Sequence, residues 1–567
     1  MNRGPWLYLL AAYSLTVPLA FIGERFETSS DLIAYLRIVC VLSFAAYVVR
    51  LCRTSWSDRR APLALAFAIG LTWSCLLALQ LYKSVTLIPF TFSFAFSSLA
   101  DTRRTLDKVL GPFGTVYAAA SFLLVLCAAS AVAWGLLRVL RRRFDIPLRR
   151  LPALACVGLL AYMSSGDARF AAEELWIFTR VKVNELPLRG PDYSALPVHS
   201  GESVFILQLE SVNSQVLFER TPGEGLRRRV AMPGLETVVR EGNAVLFPFF
   251  WANGMQTNRA QEAILCAISG NTGQAISIDP RRLLYRTCLP RQLADAGFTT
   301  VFLYSYFDID FFNFAQFQKA VGFQDLVYGK RLMAPEDRRH LWGYDDCVFY
   351  ERAFDYLEKR GLSGRERLFA YLEVGTNHVP FLNTDKYPGV HPYRPAATPA
   401  QHYVNSLAEQ DHCLKTFWKR FKALGRDDVH LIIVPDHSIW SGDAVADAEG
   451  LFTTWMAYVP PAGRKAQFAP RTVLEPVPSQ AQIYPTVLEL LGAPRSRDSF
   501  AFVLRGEPTP ADYDDCHLLV DPYARLLVVG NGRKAEFVLH SESVRLPHNV
   551  TQKMDYWTFQ KRFGCED

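Results

Sequence analysis

Asp436 and His437 stand side by side directly after a proline and the apolar run Leu431–Val434. Four consecutive apolar residues bounded by polar ones read as a buried strand, which puts the pair at a strand's carboxyl end. Glu210 holds the equivalent place after "FILQL" (205–209). Carboxylate oxygen and imidazole nitrogen together suit a divalent cation, zinc or manganese, with magnesium a further candidate. Thr257 lies in "WANGMQTNRAQEAILCAISG" (251–270), where a polar loop leads into a helix-like run starting near Asn258. A helix N-terminus favours bound anions such as phosphate. A hydroxyl beside a divalent metal loses its proton and becomes a nucleophile. Each group also has a plainer reading. An Asp-His pair after a strand makes a capped turn, a strand-terminal Glu makes a solvated edge, and a threonine before a helix serves as N-cap without chemistry.

The elements that would gather these groups are strands alternating with helices. The apolar runs are "SVFILQLE" (203–210), "TTVFLYS" (299–305), "RLFAYLEV" (367–374), "HLIIVPD" (430–436) and "TTWMAYVP" (453–460). Helix-like stretches include "CLPRQLADAG" (288–297), the amphipathic 403–425 and "IYPTVLELLG" (483–492), the first and last ending in a glycine suited to a helix C-cap. Such alternation predicts an α/β domain with a mostly parallel sheet and helices on both faces. Ligands bind such sheets outside the carboxyl ends of the strands. Glu210, Asp436 and His437 fall at that edge, as do Thr376, Asn377 and His378. In "ARLLVVGNGRKAEFVLHS" (524–541), an Asn-Gly between two apolar runs predicts a hairpin and a small C-terminal antiparallel sheet.

Half of the 567 residues are hydrophobic. The excess concentrates in five apolar segments at roughly 5–22, 32–52, 62–82, 114–140 and 150–165. About 20 helical residues cross a bilayer's hydrocarbon core, so a domain of about five transmembrane helices is expected. Arg50, Arg53, Arg59 and Arg60 lie between the second and third segments, and Arg141, Arg142, Arg143, Arg149 and Arg150 between the fourth and fifth. The positive-inside rule makes both loops cytoplasmic and places everything after residue 166 outside. The aromatic loop 83–113 reads as a helix lying at the membrane interface, with a re-entrant loop as the alternative. The net charge of +6 comes with no basic run interleaved with aromatics, so nucleic acid is not an expected partner.

Six of the eleven cysteines (Cys266, Cys288, Cys347, Cys413, Cys516 and Cys565) fall in the outer part. An even count there permits disulfides. Proximity alone favours Cys266–Cys288. No C-x-x-C pair is present, which argues against a cysteine-zinc site.

"LQLES", "MQTNRAQE", "TNHVPF" and "VPDHS", in this order behind five apolar segments, resemble the lipoteichoic acid synthase branch of the alkaline phosphatase superfamily, to which phosphoethanolamine transferases are also similar. The resemblance covers about 200–505. It implies that Glu210, Thr257, Asp436 and His437 hold a divalent metal, that Thr257 is the nucleophile, and that His378 contacts the transferred phosphate or the leaving oxygen. "HLWGYDDCVF" (340–349) is similar to a Trp-Gly-x-x-Asp segment of the family. With it Trp342, Asn377 and Asn313 become candidate substrate contacts. The chain departs from the pattern in three places. Phe314 stands where the synthases have an arginine that holds glycerol phosphate, Ser438 replaces a glycine after the Asp-His pair, and Gln482 stands where an aspartate is usual. Sulfatases of the superfamily mature a Cys or Ser in C/S-x-P-x-R. "CLPRQ" at Cys288 has its arginine one position early and lies past the nucleophile loop, so Cys288 reads as structural.

The resemblance therefore implies a membrane domain over 1–166, a linker over 167–200, a catalytic domain over 201–505 and a β-rich piece over 506–567. The implied activity is metal-dependent transfer of a phospholipid head-group, phosphoglycerol or phosphoethanolamine, to a glycan or glycolipid outside a bacterial cytoplasmic membrane. Two alternatives stay open: a phosphodiesterase or phosphatase using water, and a non-catalytic envelope assembly protein.

Overall fold

The computed structural model describes residues 193–520 apart from short internal stretches, the strands at 526–530 and 533–537, and three isolated helical residues at 123, 127 and 131. Apart from those three residues, the five apolar segments and the interfacial loop 83–113 lie outside the described residues. Among the described residues no helix is long and apolar enough to cross a membrane.

The strands in chain order are β1 (Ser203–Leu209), β2 (Phe218–Thr221), β3 (Gly225–Arg228), β4 (Val245–Trp251), β5 (Thr299–Tyr304), β6 (Asp325–Tyr328), β7 (Leu368–Glu373), β8 (Val429–Pro435), β9 (Thr453–Val459) and β10 (Arg471–Thr472). Eight of them form one sheet in the order β10-β4-β9-β8-β1-β7-β5-β6, and β2 and β3 pair as a separate hairpin. All five apolar runs predicted as strands are strands of this sheet. The sheet is mostly parallel, as expected. The exception is β9, antiparallel to both β8 and β4. The chain leaving β8 turns back at that strand's carboxyl edge rather than crossing a face, and a parallel return needs such a crossover.

β4 was not anticipated. "VLFPFFW" carries Pro248 and three phenylalanines without alternation, and its pairing with β9 slips between Phe247 and Phe250. Proline cannot donate to a ladder, and strands tolerate it at such bulges.

Five helices matter for the site: α1 (Pro233–Gly242), α2 (Thr257–Cys266), α3 (Asp346–Lys359), α4 (Pro399–Ala423) and α5 (Ile483–Leu490). α1, α3 and α4 pack together on one face, and α2 and α5 pack together on the other. β1 shows why its sequence is continuously apolar. Val204 and Ile206 join the core that contains Ile264 of α2 and Val487 of α5, while Phe205 meets Phe421 of α4 edge-on at 5.7 Å. A strand covered on both faces has no polar side to show in its sequence.

Two disulfides clamp these layers. Cys266–Cys288 joins the end of α2 to the start of the following helix, and Cys347–Cys413 joins α3 to α4. The first is the pairing that proximity favoured. Past the main sheet, three strands (His517–Val520, Leu526–Gly530 and Arg533–Phe537) form an antiparallel sheet. The hairpin turns between Gly530 and Arg533, at the predicted Asn-Gly.

Candidate metal and phosphoryl-transfer site

β1 and β8 run parallel with Leu209 opposite Pro435. The residues that follow, Glu210 and Asp436, are therefore neighbours, and the Asp436 N–H donates to the Leu209 carbonyl at 2.8 Å. Because β9 is antiparallel to both β8 and β4, β4 runs in the direction of β8. Its carboxyl end opens on the same edge, and the loop 252–256 delivers Thr257 there as the first residue of α2. His378 arrives in the loop after β7. Four distant segments are thus brought to one edge by strand direction alone.

Glu210, Asp436 and His437 are buried, and their ligand atoms all lie within 4.8 Å of one another. His437 Nε2 is 3.6 Å from Glu210 Oε1 and 3.4 Å from Asp436 Oδ2. Ligand atoms about 2.0–2.2 Å from a tetrahedral ion stand roughly 3.3–3.6 Å apart. These spacings fit one divalent cation. Two further observations agree. His437 Nδ1 lies 2.6 Å from the Ser438 carbonyl, so Nδ1–H donates there and the Nε2 lone pair faces the carboxylates. Asp436 Oδ1 accepts the N–H groups of Ser211 (2.8 Å) and His437 (2.7 Å), whereas Oδ2 is buried and meets no hydrogen-bond donor among the described residues. An orphaned carboxylate oxygen is costly unless something cationic belongs against it.

Thr257 Oγ1 donates to Glu210 Oε2 at 3.4 Å, so the hydroxyl touches the same cluster. The two carboxyl groups titrate apart. Burial pushes Asp436 well above the usual carboxylate range, and Glu210 beside it adds to the rise. Burial also works to raise Glu210, but the nearby His378 and His437 rings and hydrogen bonds from Ser211 and Tyr306 outweigh it and hold Glu210 below its ordinary value. One proton therefore stays with Asp436 in the metal-free pair.

The remaining predicted residues divide. His378 is half-buried. Its Nδ1 lies 2.8 Å from the Val379 carbonyl, and its ring packs at 4.8 Å on Trp342, whose indole N–H donates to the same carbonyl at 2.6 Å. Trp342 and His378 thus form one wall, adjoining Tyr306. Asn377 is fully buried and donates to the backbone carbonyls of Glu210 (3.2 Å) and Ser211 (2.8 Å). Its amide nitrogen is committed to holding the Glu210–Ser211 turn. Asn313 sits at the N-cap of the helix Phe314–Val321 with φ 58°. It is not among the side chains bonded to Glu210, which are Ser211, Thr257 and Tyr306. Phe314 lies in an aromatic cluster with Phe302, Tyr304 and Phe317. Cys288 is in a disulfide and caps the helix Leu289–Asp295, which makes it structural, as its sequence context suggested.

Three contributors were not foreseen. Ser211 adopts the left-handed conformation (φ 51°) and hydrogen-bonds Glu210 through its hydroxyl. Non-glycine residues hold that conformation only where surroundings impose it. Here Asn377 and Tyr403 both donate to its carbonyl. Gln480 donates to the carbonyls of Pro435 (2.9 Å) and Asp436 (2.6 Å) and accepts the Asn253 N–H (3.2 Å). It thereby ties the end of β8 to the loop that delivers Thr257. Tyr306 donates to Glu210 Oε2 at 2.7 Å. No local pattern marks these three; Ser211 and Tyr306 follow strand ends, and Gln480 opens a 3-10 turn with no such cue. A second cluster, Asp345 with Cys347 and Cys413, also brings potential ligand atoms together, but both sulfurs are in a disulfide and offer no thiolate.

Residues 204–493 match the sulfatase family model. The chain belongs to the sulfatase family. No curated protein matches it. Solved structures similar to it include a lipoteichoic acid synthase, LtaP, from Listeria monocytogenes, at 18% identity over 61% of this chain and 89% of that one, TM-score 0.46. Another is the C-terminal periplasmic domain of EptC from Escherichia coli in complex with zinc, at 14% identity over 60% and 96%, TM-score 0.43. A third is the phosphonate monoester hydrolase of Agrobacterium radiobacter, at 12% identity over 60% and 88%, TM-score 0.43. The family domain described here is the sulfatase-like α/β sheet with the donor cluster at its carboxyl edge.

Proposed function

We propose that this sulfatase-family protein is a membrane-anchored, metal-dependent phosphotransferase. It moves the head-group of a phospholipid, phosphoglycerol first and phosphoethanolamine second, onto an envelope glycan or glycolipid outside the bacterial cytoplasmic membrane. The observation that carries this reading is the placement of the Thr257 hydroxyl on Glu210, one of three buried donors spaced for one cation. Glu210, Asp436, His437 and Thr257 would hold the ion, zinc or manganese with magnesium a further candidate. When bound, it supplies charge stabilisation for phosphoryl oxygens and lowers the hydroxyl pKa. Thr257 Oγ forms the bond to phosphorus as the bond to the diacylglycerol oxygen breaks, and Glu210 Oε2 stands in place to take the threonine proton. His378 would meet the transferred phosphate or the leaving oxygen, and the diacylglycerol oxygen takes up a proton as it departs. An acceptor hydroxyl then displaces threonine.

Other features support parts of this reading. The disulfide removes the Cys288 thiol from contention as a nucleophile, and Thr257 is the hydroxyl on Glu210 that also stands at a helix N-terminus. The two disulfides suit an oxidising compartment. An anchor has a physical purpose, since it keeps the site within reach of a donor that never leaves the bilayer. The decisive experiment incubates the full chain with phosphatidylglycerol or phosphatidylethanolamine and weighs the peptide containing Thr257. The expected result is an added phosphoglycerol or phosphoethanolamine mass, absent in Thr257→Ala, which still folds. Undiminished turnover in Thr257→Ala ends the assignment, and release of the free head-group phosphate with no glycan product replaces transfer by hydrolysis.

A further inference from the structure

Glu210 offers two oxygens to the donor cluster, and they are not equivalent. Oε1 is the one 3.6 Å from His437 Nε2, and it also accepts the Ser211 hydroxyl. Oε2 accepts the Tyr306 hydroxyl at 2.7 Å and the Thr257 hydroxyl at 3.4 Å. A carboxylate oxygen has about two in-plane lone-pair sites, so Oε2 has none left to offer a cation.

The surroundings hold Tyr306 in this pose. Its backbone bridges to Gly343, the Phe307 N–H donates to the Trp342 carbonyl at 3.1 Å, and the Tyr344 N–H donates to the Ser305 carbonyl at 2.9 Å. Its ring stacks on Tyr304 at 5.0 Å and meets the rings of His340 (6.4 Å) and His378 (6.1 Å) edge-on. Gly375 passes so close that a Cβ there would lie 2.4 Å from the ring and 2.7 Å from the hydroxyl. The absence of a side chain at Gly375 is what admits the phenol.

We infer that Tyr306 is a positioning residue: it binds Glu210 Oε2, so that Glu210 holds the cation through Oε1 alone and keeps Oε2 turned to the Thr257 hydroxyl. The inference rests on the metal-site reading above. Without the phenol, Oε2 is free to swing onto the ion. The carboxylate then binds through both oxygens, occupies a position the phosphoryl group needs, and leaves Thr257 without its proton acceptor.

The test compares Tyr306→Phe with wild type, both as full-length protein in detergent loaded with zinc alone. X-ray absorption at the zinc edge counts first-shell ligands, titration gives the zinc Kd, and lipid turnover gives kcat and KM. The expected variant shows one more first-shell oxygen, a zinc Kd unchanged or lower, and kcat reduced about 10-fold or more with KM little altered. A merely structural role moves the other way, with weaker zinc binding and a lower melting temperature, and that result overturns the inference. An identical first shell in both proteins overturns it as well, while leaving the metal site standing. A wild type that takes up no zinc ends the metal-site reading itself. Should Tyr306→Phe fail to fold, Gly375→Ala pushes the phenol off Glu210 and is expected to show the same added oxygen; an unchanged shell there counts against the inference equally.

Discussion

Replacing Asp436 with asparagine separates the cost of the donor cluster from its use. Asparagine keeps an oxygen where Oδ1 accepts the Ser211 and His437 N–H groups, so the turn stays bonded. It replaces the orphaned Oδ2 with an amide that can donate toward Glu210. In the metal-free wild type, two ionised carboxylates 4.8 Å apart, the outer limit for this cluster, repel by about 3.5 kcal/mol at an effective dielectric of 20. The protein avoids that cost by keeping a proton on Asp436, whose folded-state pKa is raised by burial and by Glu210. The sign follows from linkage. A carboxyl with a raised folded pKa binds its proton more tightly folded than unfolded. Metal-free stability is therefore greatest below the unfolded value of about 3.9 and falls as pH rises, by at most ~1.4 kcal/mol per pH unit. Glu210 shifts the opposite way, and its contribution is complete above its unfolded value near 4.3, outside this window. Thermal unfolding in chelator from pH 5 to pH 8 should thus show wild type losing stability more steeply than Asp436→Asn, in which the buried Asp346, Asp411 and Glu373, all raised by burial, still titrate as they do in wild type. The variant should lead by about 3 kcal/mol at the alkaline end, on the order of 5 °C for a domain of this size. Zinc at 100 times its Kd should raise wild type by about 2.7 kcal/mol and the variant by far less. A variant less stable than wild type in chelator throughout, or equally stabilised by zinc, refutes the argument.

Gln480→Leu removes the buried donor to the Pro435 and Asp436 carbonyls and the acceptor of the Asn253 N–H. It should cost roughly 2–4 kcal/mol in urea unfolding and weaken zinc uptake, since Asp436 loses its anchor. Removing Cys347–Cys413, which spans 66 residues, should cost about 4 kcal/mol, and Cys266–Cys288, which spans 22, about 3 kcal/mol. Melting temperatures of the two paired Cys→Ala variants check both the size and the order.

What could be read beforehand depended on whether the signal was local. β1, β7 and β8 are buried on both faces and announce themselves as apolar runs. The polar residues that end them, Glu210 and Asp436 with His437, then stand out by position alone. Thr257 was legible because a polar loop turned helical at that point. β4 was not, because Pro248 and the bulge beside it break the pattern a strand should show. Nor was the direction of β9, since an apolar strand reads the same in either orientation. Asn377 had been expected to face substrate, and the structure gives its amide to the carbonyls of Glu210 and Ser211. Tyr306 and Gln480 act on residues 96 and 44 positions away respectively. No window along the chain contains such a pair.

The departures from the family pattern follow a rule that bears on substrate. Ser438 accepts the Asn213 side-chain N–H at 2.7 Å, a bond a glycine could not offer. Gln482 accepts the Ser479 N–H at 3.0 Å, as an aspartate could, and donates to the Asp514 carbonyl at 2.9 Å, as an aspartate could not. Both substitutions come with partners that use them, so they preserve the frame around the donors. Phe314 is buried in the core, packed with the rings of Phe302, Tyr304 and Phe317. A guanidinium in that buried aromatic place would cost several kcal/mol to desolvate. Restoring the arginine alone is therefore expected to destabilise the domain rather than to confer glycerol-phosphate binding. On the proposed function, head-group selection would then rest on other groups, and Trp342 with His378, whose rings pack at 4.8 Å, are the pair to vary first.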